Sequence, residues 1–251
     1  MSTVVENESA YASTATAEAI TRVASPAREP ASSATPDVRE SLFERFAWAY
    51  ILFREKLFRD DTNRFVRALW PDGAPQVGER LIELGCGPGF YSCALAARFP
   101  ELSVVGIDRS ESQLQWARAK ARDAALPNCH FKADNVLKLS HPDDSYDAIV
   151  AARLFTVLSD RERGIAEMHR VLRSGGQCVI AEPRYAVWAS LPLFAMWCIA
   201  SVTGINSGFS EPSHATVLKR PAFEALFATQ PWASVRIWRD GRYQYALCEK
   251  R

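Results

Sequence analysis

The stretch Leu81–Tyr91 (LIELGCGPGFY) constrains this chain more than any other: an apolar run carries an acid, glycine then stands at every second position, and helix-forming sequence follows. That order reads as a strand, a tight turn and a helix N-terminus. Gly85, Gly87 and Gly89 permit positive φ and let backbone approach a ligand more closely than any Cβ allows. The helix continues through Ala94, Leu95, Ala96 and Ala97 to Arg98. Its first N–H groups therefore face the turn and favour an electronegative ligand group.

A second buried parallel strand, Ser103–Asp108 (SVVGID), ends in an acid about 20 residues past the last glycine, where a carboxylate can accept both hydroxyls of a ribose. These are two halves of a nucleoside site. A dinucleotide fold would want glycine at position 90, to admit a pyrophosphate and pack the helix, and this chain has Phe90. The bulky residue argues against a pyrophosphate.

On these residues the chain resembles the class I S-adenosylmethionine-dependent methyltransferases, from roughly Arg80 to Lys250. The family's acid–x–Gly–x–Gly–x–Gly motif corresponds to Glu83–Gly89, and its second acid to Asp108. Its third, an acid after the third strand that reads the adenine amino group, corresponds to Asp134 in Phe131–Val136 (FKADNV). Tyr146–Arg153 (YDAIVAAR) resembles the fourth strand, and Met168–Pro183 (MHRVLRSGGQCVIAEP) the helix, turn and fifth strand. Phe46–Tyr50 (FAWAY) is similar to a segment of quinone and small-molecule methyltransferases whose tyrosine approaches the methionine end of the cofactor.

The resemblance implies a doubly wound α/β fold: a mostly parallel seven-stranded sheet completed by a C-terminal antiparallel hairpin strand. The cofactor is then S-adenosyl-L-methionine, with no metal. Its contacts carry over to Tyr50, Glu83, Gly85, Cys86, Gly87, Pro88, Gly89, Asp108, Arg109, Gln113, Asp134, Asn135, Val136 and Arg153. Glu83 would orient the first loop and its ligand, the glycine loop would pass the methionine and ribose, Asp108 would take the ribose diol, and Asp134 with Asn135 and Val136 would clasp adenine.

The 251 residues suffice for one sizeable core, and 48% hydrophobic with 24% charged residues is ordinary for a soluble globular protein. A net charge of +1 without long Lys/Arg blocks lacks the footprint of a nucleic-acid binder. The six scattered cysteines, without a C-x-x-C pair, read as buried thiols of a reducing cytoplasm. Residues 1–36 are rich in Ala, Ser, Thr, Pro and Glu and offer too little apolar surface to offset their ordering entropy, so a disordered tail is expected. The tail lacks a secretory pattern, and a cytoplasmic location follows.

Residues 37–251 then form one domain, opened by a helical cap over 37–79. Ser41–Glu44 fits a capping box, and Phe43, Phe46, Tyr50, Phe53 and Leu57 recur at helical spacing, with Phe65, Val66 and Leu69 in a second helix. Ser110 and Gln113 begin a crossover helix whose face carries Leu114, Ala117, Ala121 and Ala124. Ser234–Trp238 and Tyr243–Cys248, around Asp240 and Gly241, read as a hairpin. Tyr185–Ile205 is charge-free and aromatic. Its length suits a membrane span, but the final hairpin must rejoin the sheet on the same side, and Pro192 and Gly204 break the run. It reads as part of an insertion over 185–217, either a core helix or a lid facing the acceptor or a membrane surface, the latter making the protein peripheral.

Methyl transfer from a sulfonium is an in-line displacement that needs alignment and dryness more than a base. Among the histidines, His214 stands where the acceptor pocket is expected, as a surface residue or a proton acceptor. After the fourth strand this chain has Phe155, Thr156 and Val157 where many relatives carry Leu-His-His, and Ser174 where Pro is usual in the helix-to-strand turn. The expected function is methyl transfer to a small, predominantly hydrophobic acceptor of lipid, quinone-like or secondary-metabolite class. The alternatives are a non-catalytic S-adenosylmethionine-binding module on the same fold and an NAD-dependent oxidoreductase.

Overall fold

The computed structural model describes residues 59–186 and 216–251, together with Ser190, Phe194 and Cys198. The tail, the helix opening at Ser41, Tyr50, His214 and most of the 185–217 insertion lie outside the described residues. Helix α1 (Thr62–Leu69) leads into β1 (Arg80–Leu84), α2 (Phe90–Arg98), β2 (Ser103–Asp108), α3 (Glu111–Asp123), β3 (Cys129–Ala133) and β4 (Tyr146–Ala152). Then follow α4 (Arg161–Val171), β5 (Leu172–Pro183), α5 (Arg220–Phe227), β6 (Trp232–Asp240) and β7 (Tyr243–Lys250).

The strands form one seven-stranded sheet in the order β3-β2-β1-β4-β5-β7-β6. All pairings from β3 to β5 are parallel, and β7 enters antiparallel to β5 with β6 outside it. Chain direction along the sheet reverses between β1 and β4, so the crevice at their carboxyl ends is the place where such a sheet receives a ligand. Side chains alternate into two apolar layers. Ile82, Leu84, Ile107, Ile149 and Ile180 fill one. Leu81, Val104, Val150, Val179 and Tyr245 fill the other. Burial on both faces explains why the central strands read as continuous apolar runs rather than alternating ones.

The expected crossover helix is α3: the Ser110 hydroxyl accepts the Gln113 N–H at 3.2 Å, one half of a capping box. At Arg173–Gly176 the structure corrects the sequence reading. No separate turn follows α4; the chain passes directly into the 12-residue β5. Its register against β4 steps from Tyr146↔Leu172 to Ala148↔Gln177, so the extra residues are absorbed as a bulge within the strand. Gly175, at φ +75°, and Gly176 make this feasible, since a Cβ on Gly176 would lie 2.9 Å from the Arg173 carbonyl oxygen. Among the described residues no helix is long and apolar enough to cross a membrane.

Candidate functional site

The loop from β1 to α2 takes positive φ at Gly85 (+68°), Gly87 (+52°) and Gly89 (+73°). Gly89 is the N-cap of α2 and has no side chain to cap it. Glu83 supplies the missing acceptor. From β1 its Oε2 receives the Ser92 N–H at 2.7 Å and the Ser92 hydroxyl at 2.5 Å, which satisfies a first-turn donor and meets the positive end of the helix dipole. Glu83 is buried, as are Cys86 and Pro88. Burial, with Glu83 and Asp108 nearby, pushes the Cys86 thiol well up, so it stays protonated.

Asp108 ends β2 beside that loop. Its Oδ2 accepts the Gly87 N–H at 2.8 Å and its Oδ1 the Ser110 N–H at 2.9 Å. One carboxylate thus ties the glycine turn to the start of α3. Arg109 beside it is exposed, whereas Gln113 is buried in the first turn of α3.

Asp134, after β3, is turned toward its own loop. Oδ1 accepts the Asn135 N–H at 2.8 Å, Oδ2 accepts the Ser140 N–H at 3.0 Å and hydroxyl at 2.9 Å, and His141 Nε2 lies 3.5 Å away. Burial alone would raise this carboxyl, but the Ser140 and Asn135 hydrogen bonds outweigh it and hold it below its usual range. Asn135 is exposed and its Oδ1 closes a turn onto the Leu137 N–H at 3.0 Å. Val136 sits in the apolar layer containing Leu84 and Ile107. Asp134 therefore fixes the loop after β3, and Val136 anchors that loop to the core.

Arg153 follows β4 at φ +58°. Its N–H bonds the Ala181 carbonyl at 2.8 Å, and its guanidinium lies 5.7 Å from the centre of the Tyr91 ring, with Nη1 3.4 Å from the Tyr91 hydroxyl. Next to it Leu154 packs against the glycine turn, since a Cβ on Gly85 would come within 3.0 Å of Leu154 Cδ1. Beneath this loop lies a residue that sequence reading passes over. Glu182, at the end of β5, is 2% exposed, and its Oε1 accepts the Phe155 N–H at 2.9 Å. Burial raises its carboxyl to about 7, against the pull of the Phe155 N–H, Arg153, the Leu154 N–H and Arg161. The available signal was the one used for Asp108: an apolar run, Cys178–Ala181, that ends in an acid.

The structure thus gathers Glu83, the glycine loop, Asp108, Asp134 and Arg153 at the carboxyl ends of adjacent strands. Of the described histidines, His130 lies within β3, His141 sits between Asp134, 3.5 Å from its Nε2, and the Tyr146 hydroxyl, 2.8 Å from its Nδ1, and His169 packs edge-on to Trp232.

A switch-point crevice with a positive-φ glycine turn and an acid ending the next strand defines a Rossmann-like methyltransferase domain of the S-adenosylmethionine-dependent class. The chain belongs to the methyltransferase domain family, whose profile matches residues 75–216. A demethylmenaquinone methyltransferase of Deinococcus radiodurans is 31% identical over 143 residues, which is 57% of this chain and 59% of that one. The demethylmenaquinone methyltransferase of Thermus thermophilus is 36% identical over 141 residues, 56% of this chain and 64% of its own. The match thus spans about three fifths of these curated relatives' length. Among solved structures, a putative S-adenosyl-L-methionine-dependent methyltransferase from Methanococcus maripaludis superposes with a TM-score of 0.58 at 18% identity, covering 84% of this chain and 95% of that one. Phosphoethanolamine N-methyltransferase 2 of Haemonchus contortus, solved with S-adenosyl-L-methionine, gives 0.61 at 11% identity, covering 82% and 57%. At such identities the likeness is one of fold.

Proposed function

We propose that this chain transfers a methyl group from S-adenosyl-L-methionine to a small, predominantly hydrophobic acceptor, with a quinone-like ring as the leading class and lipids or secondary metabolites as the others. The observation that carries the reading is the Asp108 carboxylate, fixed by the Gly87 and Ser110 N–H groups at the end of the strand beside the glycine turn. The demethylmenaquinone methyltransferases among the relatives support the quinone-like acceptor. Bound S-adenosyl-L-methionine supplies an electrophilic methyl on a sulfonium, whose displacement leaves a neutral thioether. The work left to the chain is to align and to exclude water. In this reading Asp108 holds the ribose, the Gly85–Gly89 turn passes the methionine portion, and Asp134, Asn135 and Val136 form the adenine wall.

Residues 1–36 stand outside the catalytic unit in this proposal, 37–79 cap it, and 185–217 supply the acceptor lid, which touches a membrane surface if the acceptor resides there. The protein is then cytoplasmic or peripheral. Labelled methyl transfer from S-adenosyl-L-methionine into a cell lipid and metabolite extract tests the proposal. Label should appear in an organic-soluble product; binding of the cofactor with no transfer to any fraction would favour the non-catalytic module.

A further inference from the structure

We propose that Glu182 is a positioning residue of the site, whose carboxylate clamps the Arg153–Thr156 loop against the glycine turn and so makes cofactor binding depend on its ionisation. The inference rests on the function proposed above and goes beyond it, because Glu182 touches neither the glycine turn nor Asp108 directly. It acts through the loop. The clamp has four parts. The Phe155 N–H is held by Glu182 Oε1 at 2.9 Å, and the Phe155 carbonyl accepts Arg161 Nε at 2.7 Å. Leu154 lies against Gly85, and the Arg153 guanidinium lies over Tyr91 in the first turn of α2. Arg153 itself is held in the left-handed region, a conformation that persists at a non-glycine residue only where the surroundings impose it. Its N–H is fixed at 2.8 Å on the carbonyl of Ala181, the residue before Glu182.

Among the described residues the charged groups facing Glu182 are Arg153, from the loop after β4, and Arg161, from α4; its register partner on β7 is the uncharged Gln244. With both cations held on the loop side, ionisation strengthens the grip on Phe155, since a hydrogen bond to a carboxylate is roughly twice as strong as one to a neutral acceptor. Protonation near neutral pH loosens the loop, and with it the packing of Leu154 on the glycine turn.

The test is calorimetric titration of the full-length chain with S-adenosylhomocysteine from pH 5.5 to 8.5. Its sulfur is neutral, so a pH transition reports the loop and not attraction to a sulfonium. Wild type should bind about tenfold more tightly at the alkaline end. Glu182→Gln keeps an acceptor for Phe155 and should give a flat profile at the weaker value. If it does not fold, Arg161→Gln serves instead: it removes a cation that favours the carboxylate and should move the wild-type transition to higher pH. A flat wild-type profile, or an unchanged transition in the variant examined, overturns the clamp. Wild type that binds at no pH overturns the proposed function instead, so the two failures are distinguishable.

Discussion

Asp108 accepts two backbone N–H groups within the chain, and this sharpens what its removal should do. Asp108→Ala leaves the Gly87 and Ser110 N–H groups without their acceptor, so the ligand-free protein should melt lower than wild type. Affinity for S-adenosylhomocysteine should also fall, by about 2–4 kcal/mol, or on the order of 30-fold to 1000-fold. Calorimetry finding wild-type affinity in the folded variant would remove the ribose from Asp108. Glu182 gives a prediction of opposite character. Burial raises its carboxyl from 4.5 to about 7, so between these values the folded chain holds a proton that the unfolded chain has released. Its contribution to stability is complete below pH 4.5 and is lost as pH rises toward 7, a change of roughly 3 kcal/mol at about 1.4 kcal/mol per unit. Glu182→Gln should therefore gain on wild type in melting temperature between pH 4.5 and pH 8, by about 5–10 °C; a difference that does not vary with pH would show that Glu182 does not titrate in this window. The acids at strand ends were legible because an apolar run ending in a carboxylate is rare unless something needs it. Their roles were less so. Nothing in the order of residues tells that Asp134 turns to Ser140, six positions on, or that Glu182 faces inward under Phe155.

At the scale of elements, the strand–turn–helix unit holds because two glycines make room for one ring. A Cβ on Gly89 would lie 2.7 Å from Phe131 Cζ and 2.9 Å from Ala117 Cβ, and one on Gly106 would lie 2.6 Å from the same ring and 2.8 Å from Ser92 Oγ. Phe131 is thus the wedge between β2, α2 and α3, and Ser92 is the residue that Glu83 grips. Gly89→Ala combines positive-φ strain with overpacking and should cost about 2–4 kcal/mol. Gly78→Ala is the control, since its φ of +83° imposes the strain while its Cβ would meet nothing within 4 Å. Chemical denaturation should place Gly89→Ala clearly below Gly78→Ala; equal losses would mean that the ring yields. The glycine pattern announced the turn and α2 from sequence, because positive φ leaves few alternatives to glycine. The β5 bulge was hidden, because Ser174, Gly175 and Gly176 suit a turn and a bulge equally and only pairing with β4 decides between them.

The whole molecule is joined by contacts that no local pattern reveals. Asp61, fully buried at the start of α1, accepts Arg59 Nε and the Tyr245 hydroxyl, both at 2.9 Å, so a residue before the first strand is locked to the last one. Sequence reading placed α1 and the hairpin but could not join them, since their periodicities report only which face is apolar. The insertion after β5 poses the same problem in reverse. Tyr185 is 49% exposed and Phe194 is 62% exposed, and Ser190, Phe194 and Cys198, at helical spacing, are in helical conformation. Large apolar groups left in solvent suit a surface that a ligand or lipid covers, and each aromatic side chain so covered would contribute about 1.5–3 kcal/mol. We therefore expect the double variant Trp188→Ser with Trp197→Ser to lose acceptor turnover or membrane-surface association while retaining cofactor affinity, because the strand-end acids and the glycine turn lie elsewhere in the chain. A plain core helix predicts a different pattern, in which melting temperature, cofactor affinity and turnover fall together. Measuring all three on that one variant separates the two, and a collapsed melting temperature would end the lid hypothesis.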